Sequence, residues 1–397
     1  MFSAIITFGF LWALAFGYKE EEIANLAAVN QDLATDIYTE LTTDDERDNF
    51  VFSPFSAQLV LSLIAEGATG STRAEMEAYL PPSTVVFGNF LSRLHNIENK
   101  TVYNSASRIF TRRDIRLNRD FAKIAREVYR TTVQKVNFLE PRQAANSINK
   151  WVEYQLVSQK KDKLRPVVVA DYMNPHTNLL FLSLIYLNAS WVTSFHSRKD
   201  KFYNEGSKVA KTIPFLARTG VFKYYDDKEI KAKFVEIPFT DMHFATEKVS
   251  RYLSLVLVVP YKRDGLKQIA INPQKIFQPK PFKNETMRLR FPKFTVGSIV
   301  DIGEIFKSLG IKKMFNRRDA EFANLAYNKY RRYYFTKVLQ ESYIDINERG
   351  VELKSSDQSE TPTRSFQPSL NVEHPFIYYI QRDGIILFAG RVTNLPN

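Results

Sequence analysis

The chain has 397 residues, 44% of them hydrophobic and 14% aromatic, which is enough for a large buried core and excludes a chain that is disordered throughout. It has no cysteine, so disulfide bonds, thiolate metal sites and cysteine redox chemistry are excluded. The formal net charge of +12 favours anionic partners such as glycosaminoglycans and acidic proteins.

The first residues, MFSAIITFGFLWALAFGYKEEE, form a short apolar run that turns abruptly charged. This pattern is typical of a secretory signal peptide, and we predict that it spans residues 1–17 with cleavage after Gly17. A membrane anchor is the alternative, but the run is short for a bilayer span, and no later stretch predicts a transmembrane helix. We therefore expect a secreted, extracellular protein. Three sequons are candidate glycosylation sites, namely Asn99, Asn188 and Asn284.

Residues 18–397 mix strand-like and helix-like stretches without a Pro/Gly/Ser-rich linker, which favours one α+β domain. Apolar spacing predicts a helix over residues 20–42. The strand-like FVF follows, and Ser53 with Pro54 predicts the start of an apolar helix. An amphipathic helix is predicted over residues 119–130. The segments TNLLFLSLIYLNASWV and YLSLVLVVPY are predicted to be buried strands.

The sequence lacks the motifs of the common enzyme classes. Its five histidines form no H-E-x-x-H pattern and no pair at ligand spacing in one helix. Neither a nucleophile elbow, a dinucleotide fingerprint nor a P-loop occurs. We therefore predict that the protein is not an enzyme and that it needs neither a cofactor nor a metal.

Residues 347–366, NERGVELKSSDQSETPTRSF, are almost entirely polar. They lie between the strand-like YFTKVLQESYIDI and the apolar segments HPFIYYI and GIILFAGRVT. Loops this long without structure of their own are usually functional or disordered. This segment is therefore the first candidate for a functional site.

The order of several segments resembles the serpin family. NFVFSPFSAQLVLSLIAEGATGSTRAEM is similar to a serpin N-terminal pattern, and LIYLNASW, RFPKFTV, LGIKKMF and DAEFANL are similar to later serpin landmarks. DINERGVE resembles the serpin hinge, and VEHPFIYYI with ILFAGRVTNLP resembles the C-terminal strands, so the resemblance covers about residues 22–397. It implies the serpin fold, with three β-sheets and about nine helices. It also implies an exposed reactive-centre loop at about residues 348–368, in a protein that we expect to be a monomer.

The resemblance also implies a reactive bond. In the family this bond lies sixteen residues beyond the hinge Glu and eleven before the Pro of H-P-F, and both spacings reach Arg364 here, followed by Ser365. A trypsin-like serine protease accepts a long cation before the bond, so it is the expected partner. The implied mechanism is suicide inhibition, in which an acyl-enzyme forms at Arg364 and the loop then inserts into the largest sheet. The alternative is that Arg364 is an ordinary surface residue.

The hinge departs from the usual family pattern. Inhibitory members usually carry small residues after the hinge Gly, whereas Leu353 and Lys354 are bulky and Asp357 would bury a carboxylate if it faced the core. A non-inhibitory serpin, cleaved as a substrate or acting as a binding protein, therefore stays as the alternative function. The hinge residues are Glu348, Gly350, Val351, Leu353 and Asp357.

The region in which the large sheet of the family opens differs as well. Gln340 and Glu341 stand where the family usually has His-Lys, and Ser183 stands where it prefers Asn. Gln340 can still donate and accept hydrogen bonds, but these changes argue against fast insertion. The predicted sheet-opening residues are Ser53, Ser56, Ser183 and Gln340.

Basic residues concentrate on and before the helix predicted over residues 119–130. Relatives bind sulfated polysaccharide on a nearby helix, so a heparin-like glycosaminoglycan is the second candidate partner, whereas nucleic acid is not expected. The alternative is a solvated helix face. The segments KKDKLR and NKYRRYY either extend this surface or lie elsewhere. The candidate polyanion-binding residues are Arg112, Arg113, Arg116, Arg119, Lys123, Arg126 and Arg130.

Overall fold

The structure is a computed structural model that describes residues 20–43, 49–81, 83–95, 102–157, 167–188, 190–239, 253–327, 332–349 and 368–396. Within these ranges nine α-helices are present. They are α1 (Glu20–Thr43), α2 (Pro54–Gly67), α3 (Gly70–Ala74), α4 (Thr84–His95), α5 (Arg119–Glu127), α6 (Pro141–Val157), α7 (Leu266–Ala270), α8 (Pro273–Phe277) and α9 (Ile302–Ser308).

Fourteen strands alternate with these helices in the described part of the chain. They are β1 (Phe50–Phe52), β2 (Val102–Arg112), β3 (Thr131–Val136), β4 (Leu179–Asn188), β5 (His196–Phe202), β6 (Lys211–Asp227), β7 (Ala232–Pro238), β8 (Ser254–Pro260), β9 (Lys283–Pro292), β10 (Phe294–Asp301), β11 (Phe335–Ile346), β12 (Ser369–Asn371), β13 (Phe376–Arg382) and β14 (Ile385–Val392).

The described strands form one nine-stranded and one five-stranded hydrogen-bonded sheet. The nine-stranded sheet has two halves because the 17-residue β6 belongs to both. The first part of β6 pairs with β5 and β9, and its last residues pair with β7. Counted separately, these halves and the five-stranded sheet correspond to the three sheets that the sequence implies, and the α+β fold class is confirmed.

The five-stranded sheet has the order β10-β11-β4-β2-β3. At its centre β4 and β11 run parallel, with Cα partners from Phe335 and Leu179 to Ile344 and Leu187. The other neighbours of these two strands, β10 and β2, are antiparallel to them. The edge strand β3 is parallel to β2, so the sheet has two parallel junctions, and the one between β4 and β11 joins two long strands in its interior.

Helix α2 is buried in the core because its sequence, PFSAQLVLSLIAEG, is apolar on nearly every side. All of its residues except Glu66 are buried. It begins as predicted, with the Ser53 hydroxyl accepting from the Ser56 amide at 3.1 Å and Pro54 in the first turn. This helix start lies against the central strands and brings Ser53 and Ser56 to the sheet.

A second core cluster lies between α6 and the opposite face of the five-stranded sheet. It joins Ile148 and Trp151 of α6 to Leu182 and Leu184 of β4 and to Leu339 of β11. Since strand residues alternate between faces, Gln340 points to the α2 side and its neighbours point to the α6 side.

In the ranges that the structure describes, no helix has both the length and the apolar character that a membrane crossing needs.

Candidate functional site

The candidate site is the junction between β4 and β11, which we call the seam, together with the chain that leaves β11. The seam pairs Ser183 with Gln340 and Tyr186 with Tyr343 as Cα partners. Beyond Ile346 the chain enters the polar segment, of which the structure describes Asn347, Glu348 and Arg349 at the start and none of residues 350–366. The seam is where a segment that follows β11 could re-enter the sheet.

Gln340 holds the start of α2 to the seam through two hydrogen bonds. Its side-chain carbonyl accepts from the Ser53 amide at 2.7 Å, and its amide nitrogen donates to the Ser53 carbonyl at 2.9 Å. The Ser342 hydroxyl donates to the same Gln340 oxygen at 3.3 Å. Because Gln340 is 1% exposed, these bonds are protected from water. A neutral amide can therefore both donate and accept here, as the sequence indicated.

Ser183 connects β4 to the same helix start. Its hydroxyl lies 2.7 Å from the Ser56 hydroxyl and 3.2 Å from the Ser107 hydroxyl of β2. All three serines are buried. The structure thus brings the four predicted sheet-opening residues into one hydrogen-bonded cluster. This cluster ties the start of α2 to both strands of the seam.

Glu341 is the unusual residue of the seam. It is the Cα partner of Leu184 on one side and of Ile299 on the other. Its Oε2 atom is buried without a hydrogen-bond partner among the described residues. Burial raises the pKa of this carboxyl from 4.5 to about 7. The ionised form of Glu341 therefore costs desolvation free energy in the folded protein above neutral pH.

The hinge is anchored where the chain leaves β11. The Glu348 carboxylate pairs with the Lys293 ammonium at 2.9 Å, and this hydrogen bond holds the pKa of Glu348 below its ordinary value. Trp191 donates from its backbone amide to the Arg349 carbonyl at 2.9 Å and from Nε1 to the Asn347 carbonyl at 2.6 Å. These contacts hold the first three residues of the polar segment in place.

Trp191 is itself held by aromatic packing. It is 1% exposed, stacks on Phe239 at 4.4 Å between ring centroids, and meets Phe195 edge to face at 5.2 Å. Such pairs stabilise beyond their buried area. A rigid indole therefore supports the start of the hinge.

Several predicted residues lie outside the described residues. These are the signal peptide at residues 1–17, Asn99, the reactive bond Arg364–Ser365, and Gly350, Val351, Leu353, Lys354 and Asp357 of the hinge. Their assignments stay predictions. Of the other sequons, Asn284 is exposed in β9, and Asn188 ends β4 with no described side chain.

The basic surface on α5 differs in part from the prediction. Arg119, Lys123 and Arg126 are exposed, whereas Phe121 and Ala125 on the opposite face are buried. The helix ends at Glu127 rather than at residue 130. Tyr129 is buried after this end, and Arg130 has a left-handed φ of 49°. Arg130, the last of the predicted polyanion-binding residues, is therefore not part of the helix.

The remaining predicted cations lie before α5. Arg113 and Arg116 are exposed. The guanidinium of Arg112 pairs with the Asp114 carboxylate at 2.6 Å. The predicted patch is therefore a helix face with two neighbouring arginines, and Arg112 is partly neutralised by a carboxylate.

Sequence reasoning did not identify Lys293, Trp191, Ser107 or Ser342 as parts of the site. Lys293, Trp191 and Ser107 reach the site through contacts between distant segments, which no local pattern signals. Ser342 lies two residues from Gln340 on the same face of β11, so strand alternation could have indicated it. Among the described residues, no group of three or more His, Cys, Asp or Glu side chains is arranged to hold a metal ion.

Comparisons with known proteins agree with this architecture. The family model described as serpin (serine protease inhibitor) matches residues 28–395. Alaserpin of Manduca sexta is 25% identical over 398 residues, which cover 96% of this chain and 97% of that protein. The crystal structure of Serpin48, described as a highly specific serpin in the insect Tenebrio molitor, is 28% identical. It has a TM-score of 0.81 and covers 96% of this chain and 100% of its own.

A third similarity concerns the fold alone. The crystal structure of native protease nexin-1 with heparin is 22% identical, with a TM-score of 0.77, covering 94% of this chain and 99% of its own. The family match extends over nearly the whole chain, through the seam, the hinge and the C-terminal strands. The chain therefore belongs to the serpin family.

Proposed function

We propose that this serpin is a secreted suicide-substrate inhibitor of trypsin-like serine proteases, with Arg364–Ser365 as its reactive bond. The protease serine attacks the Arg364 carbonyl, the peptide bond breaks, and the amine of Ser365 leaves with a proton. An ester then joins Arg364 to the protease. The serpin contributes no catalytic group, since its part in the mechanism is mechanical.

The observation that carries this proposal is the seam between β4 and β11. The two strands are parallel neighbours, and the chain that leaves β11 can return antiparallel to it. Insertion of that segment replaces one parallel ladder with two antiparallel ladders, which adds hydrogen bonds and gives the more stable kind of pairing. The cut loop therefore gains free energy by entering the seam and draws the tethered protease with it.

The length of β11 fits this movement. It has 12 residues, and an inserted strand that starts after Gly350 would reach the opposite end of the sheet near Arg364. The buried cluster around Gln340 would have to exchange partners as the strand enters.

A second candidate function is a serpin that is cleaved without trapping its protease. Leu353, Lys354 and Asp357 favour it, because a bulky residue costs about 1–3 kcal/mol in a packed site and an unpaired buried carboxylate costs more. Slow insertion gives water time to hydrolyse the ester. We therefore propose inefficient trapping, with cleaved serpin exceeding stable adduct.

The test is to mix the protein with trypsin and to separate the products on a denaturing gel. A covalent adduct that survives detergent supports the inhibitor. The C-terminal peptide released by cleavage should begin with Ser365 when its mass is measured. Cleaved serpin with no adduct at any protease ratio would favour the second candidate function.

Replacing the two unfavourable hinge residues should improve trapping. We expect Leu353→Ala with Asp357→Thr to raise the adduct-to-cleaved ratio several-fold, because smaller and uncharged side chains enter the sheet faster. The matched control is Ser355→Ala with Ser359→Ala, which changes two small residues of the same strand face. If the native protein already traps nearly every trypsin molecule, this interpretation of the hinge is wrong.

We also propose that the exposed face of α5 binds heparin-like chains. Arg119, Lys123 and Arg126 present their cations on one side of the helix, and a fold relative was crystallised with heparin.

Neutralising Lys123, Arg126 and Arg130 to Gln should lower the salt concentration that elutes the protein from heparin resin, because such contacts are screened by salt. Neutralising Lys208, Lys231 and Lys262 is the charge-matched control. An unchanged elution position would contradict this site.

Secretion and glycosylation complete the proposal. The sequence pattern of residues 1–17 supports an extracellular location, and the exposed Asn284 supports a glycan on β9. An extracellular site is where a protease inhibitor of this kind would meet both its protease and a glycosaminoglycan.

A further inference from the structure

A cavity of about 960 Å³ lies at the end of the five-stranded sheet where β4 and β11 begin. None of its described lining residues is acidic. Its polar lining includes the side chains of Arg112, His176, Asn178, Arg317, Arg318 and Arg332. Four guanidinium groups from three distant parts of the chain therefore surround one concave space.

The backbone builds this cavity by joining those segments. The Arg112 amide donates to the Asn178 carbonyl at 3.0 Å, which holds the end of β2 to the start of β4. The guanidinium of Arg332 donates to the Arg318 carbonyl. The Tyr334 hydroxyl donates to the carbonyl of His176, which connects the chain before β11 to the chain before β4. Part of the basic segment NKYRRYY thus lies beside Arg112.

The turn that carries the two central arginines is rigid. The Asn316 side-chain oxygen accepts from the Arg318 amide at 2.8 Å, and its nitrogen donates to the Asp319 carboxylate at 2.6 Å. Such a turn is a common local structure for Asn. Arg317 and Arg318 are both exposed on it. Their positions relative to the cavity are therefore set by the backbone.

The charge of the cavity is strongly positive. Two carboxylates lie beside its lining residues: Asp114 pairs with Arg112, and Asp319 accepts a hydrogen bond from Asn316. Four guanidinium groups and these two acids leave an excess of two positive charges. Like charges held together in a concave space repel each other, and a bound anion relieves that repulsion. All four cations are arginines, whose planar groups bind phosphate and sulfate through paired hydrogen bonds.

We propose that this cavity binds a compact anion that carries several phosphate or sulfate groups. Its volume lies within the range of small-molecule sites, about 300–1,000 Å³, and its cations come from three segments around one concave space rather than from a single helix face. A long polyanion would instead follow the exposed face of α5. The two surfaces therefore suit ligands of different shape.

The position of the cavity gives the ligand a second effect. Asn178 immediately precedes β4, and Arg332 lies three residues before β11. An anion that contacts both sides bridges the two strands that must separate at the seam. Bound ligand should therefore hold the seam closed at this end and slow loop insertion, a consequence that rests on the proposed function.

Calorimetric titration with inositol hexakisphosphate and with inositol hexasulfate tests the site. We expect saturable binding of one molecule per chain, weakened about tenfold or more in Arg317→Gln with Arg332→Gln, because charge-assisted hydrogen bonds are lost. Arg317→Gln with Arg318→Gln is a second variant, since Arg332 also supports the turn. Lys208→Gln with Lys262→Gln, two exposed lysines outside both basic surfaces, is the charge-matched control and should bind as the native protein does.

Saturable binding of either probe supports the site, and comparison of the two probes shows whether phosphate or sulfate is preferred. No saturable binding of either probe, or equal weakening in the control, would overturn it.

Hydrogen exchange tests whether the ligand bridges β4 and β11. Bound ligand should slow amide exchange in residues 179–182 and 335–339 of the native protein but not of the double variant. Unchanged exchange would overturn the bridging. Absence of a trypsin adduct would count against the proposed function only. The titration would still test the cavity, because binding of the probe does not depend on protease inhibition.

Discussion

Trypsin should form no covalent adduct with the Arg364→Ala variant. The pocket of a trypsin-like protease is built around a long cation, and a site whose polar groups are left unpaired discriminates on the order of 10⁴-fold. We therefore expect the rate of adduct formation to fall by about that factor. The native fold should be unchanged, because the seam and the core that the structure describes are built from other residues. The measurement is the second-order rate of adduct formation on a denaturing gel.

Two variants control this result. Arg364→Lys keeps a long cation and should still react with trypsin, whereas Lys354→Ala removes another cation of the polar segment and should have little effect on the cleavage site. A dominant cut after Arg349 or Lys354 in the native protein would show that the reactive bond is elsewhere.

Replacing Glu341 with Gln should stabilise the uncleaved protein at pH 8 but hardly at pH 5. The pKa of this carboxyl is about 7 in the folded state against 4.5 as its ordinary value, so the folded state binds a proton that the unfolded state has released. Stability therefore falls as the pH rises from about 4.5 to about 7, and above pH 7 the full cost of the buried charge remains. At 1.36 kcal/mol per pKa unit, that cost is at most about 3 kcal/mol.

The measurement is the midpoint of thermal unfolding of both proteins at the two pH values. We expect a rise of a few degrees at pH 8. Glu348→Gln is the control, and its effect on stability should have the opposite sign, because Lys293 stabilises the Glu348 carboxylate in the folded state. That variant should lose stability at pH 8, and the loss should disappear as the pH falls through the pKa of Glu348. An equal shift for Glu341→Gln at both pH values would mean that packing, not ionisation, sets its effect.

Local patterns were sufficient to predict most elements of the fold. The apolar spacing of α1 and the Ser53 cap of α2 depend on neighbours a few residues away, so both can be predicted from the sequence. The helix from residue 119 was predicted too long, because Phe121 and Ala125 continue in spacing to Val128 while the chain turns at Arg130 to begin β3. The helix α5 therefore ends where the chain must turn to pair β3 with β2, a contact that the local sequence does not show.

The site was predictable only in part. The resemblance gave Ser53, Ser56, Ser183 and Gln340, and the structure joins them through hydrogen bonds of 2.7–3.1 Å. The cost of burying Glu341 could not be predicted, because it depends on the shielding of one carboxylate oxygen by neighbouring strands. The cationic cavity likewise depends on Arg112 and Arg332, which are brought together by chain segments 220 residues apart.

The most direct test of the account is a disulfide bond across the seam. Tyr186 and Tyr343 are Cα partners whose rings stack at 5.6 Å, and neighbouring strands lie at a spacing that a disulfide can bridge. The chain has no cysteine of its own, so Tyr186→Cys with Tyr343→Cys can form no other pair. The reduced form of this variant should trap trypsin as an adduct, while the oxidised form should be cleaved at Arg364 without any adduct. Equal trapping by the two forms would contradict insertion of the loop between β4 and β11.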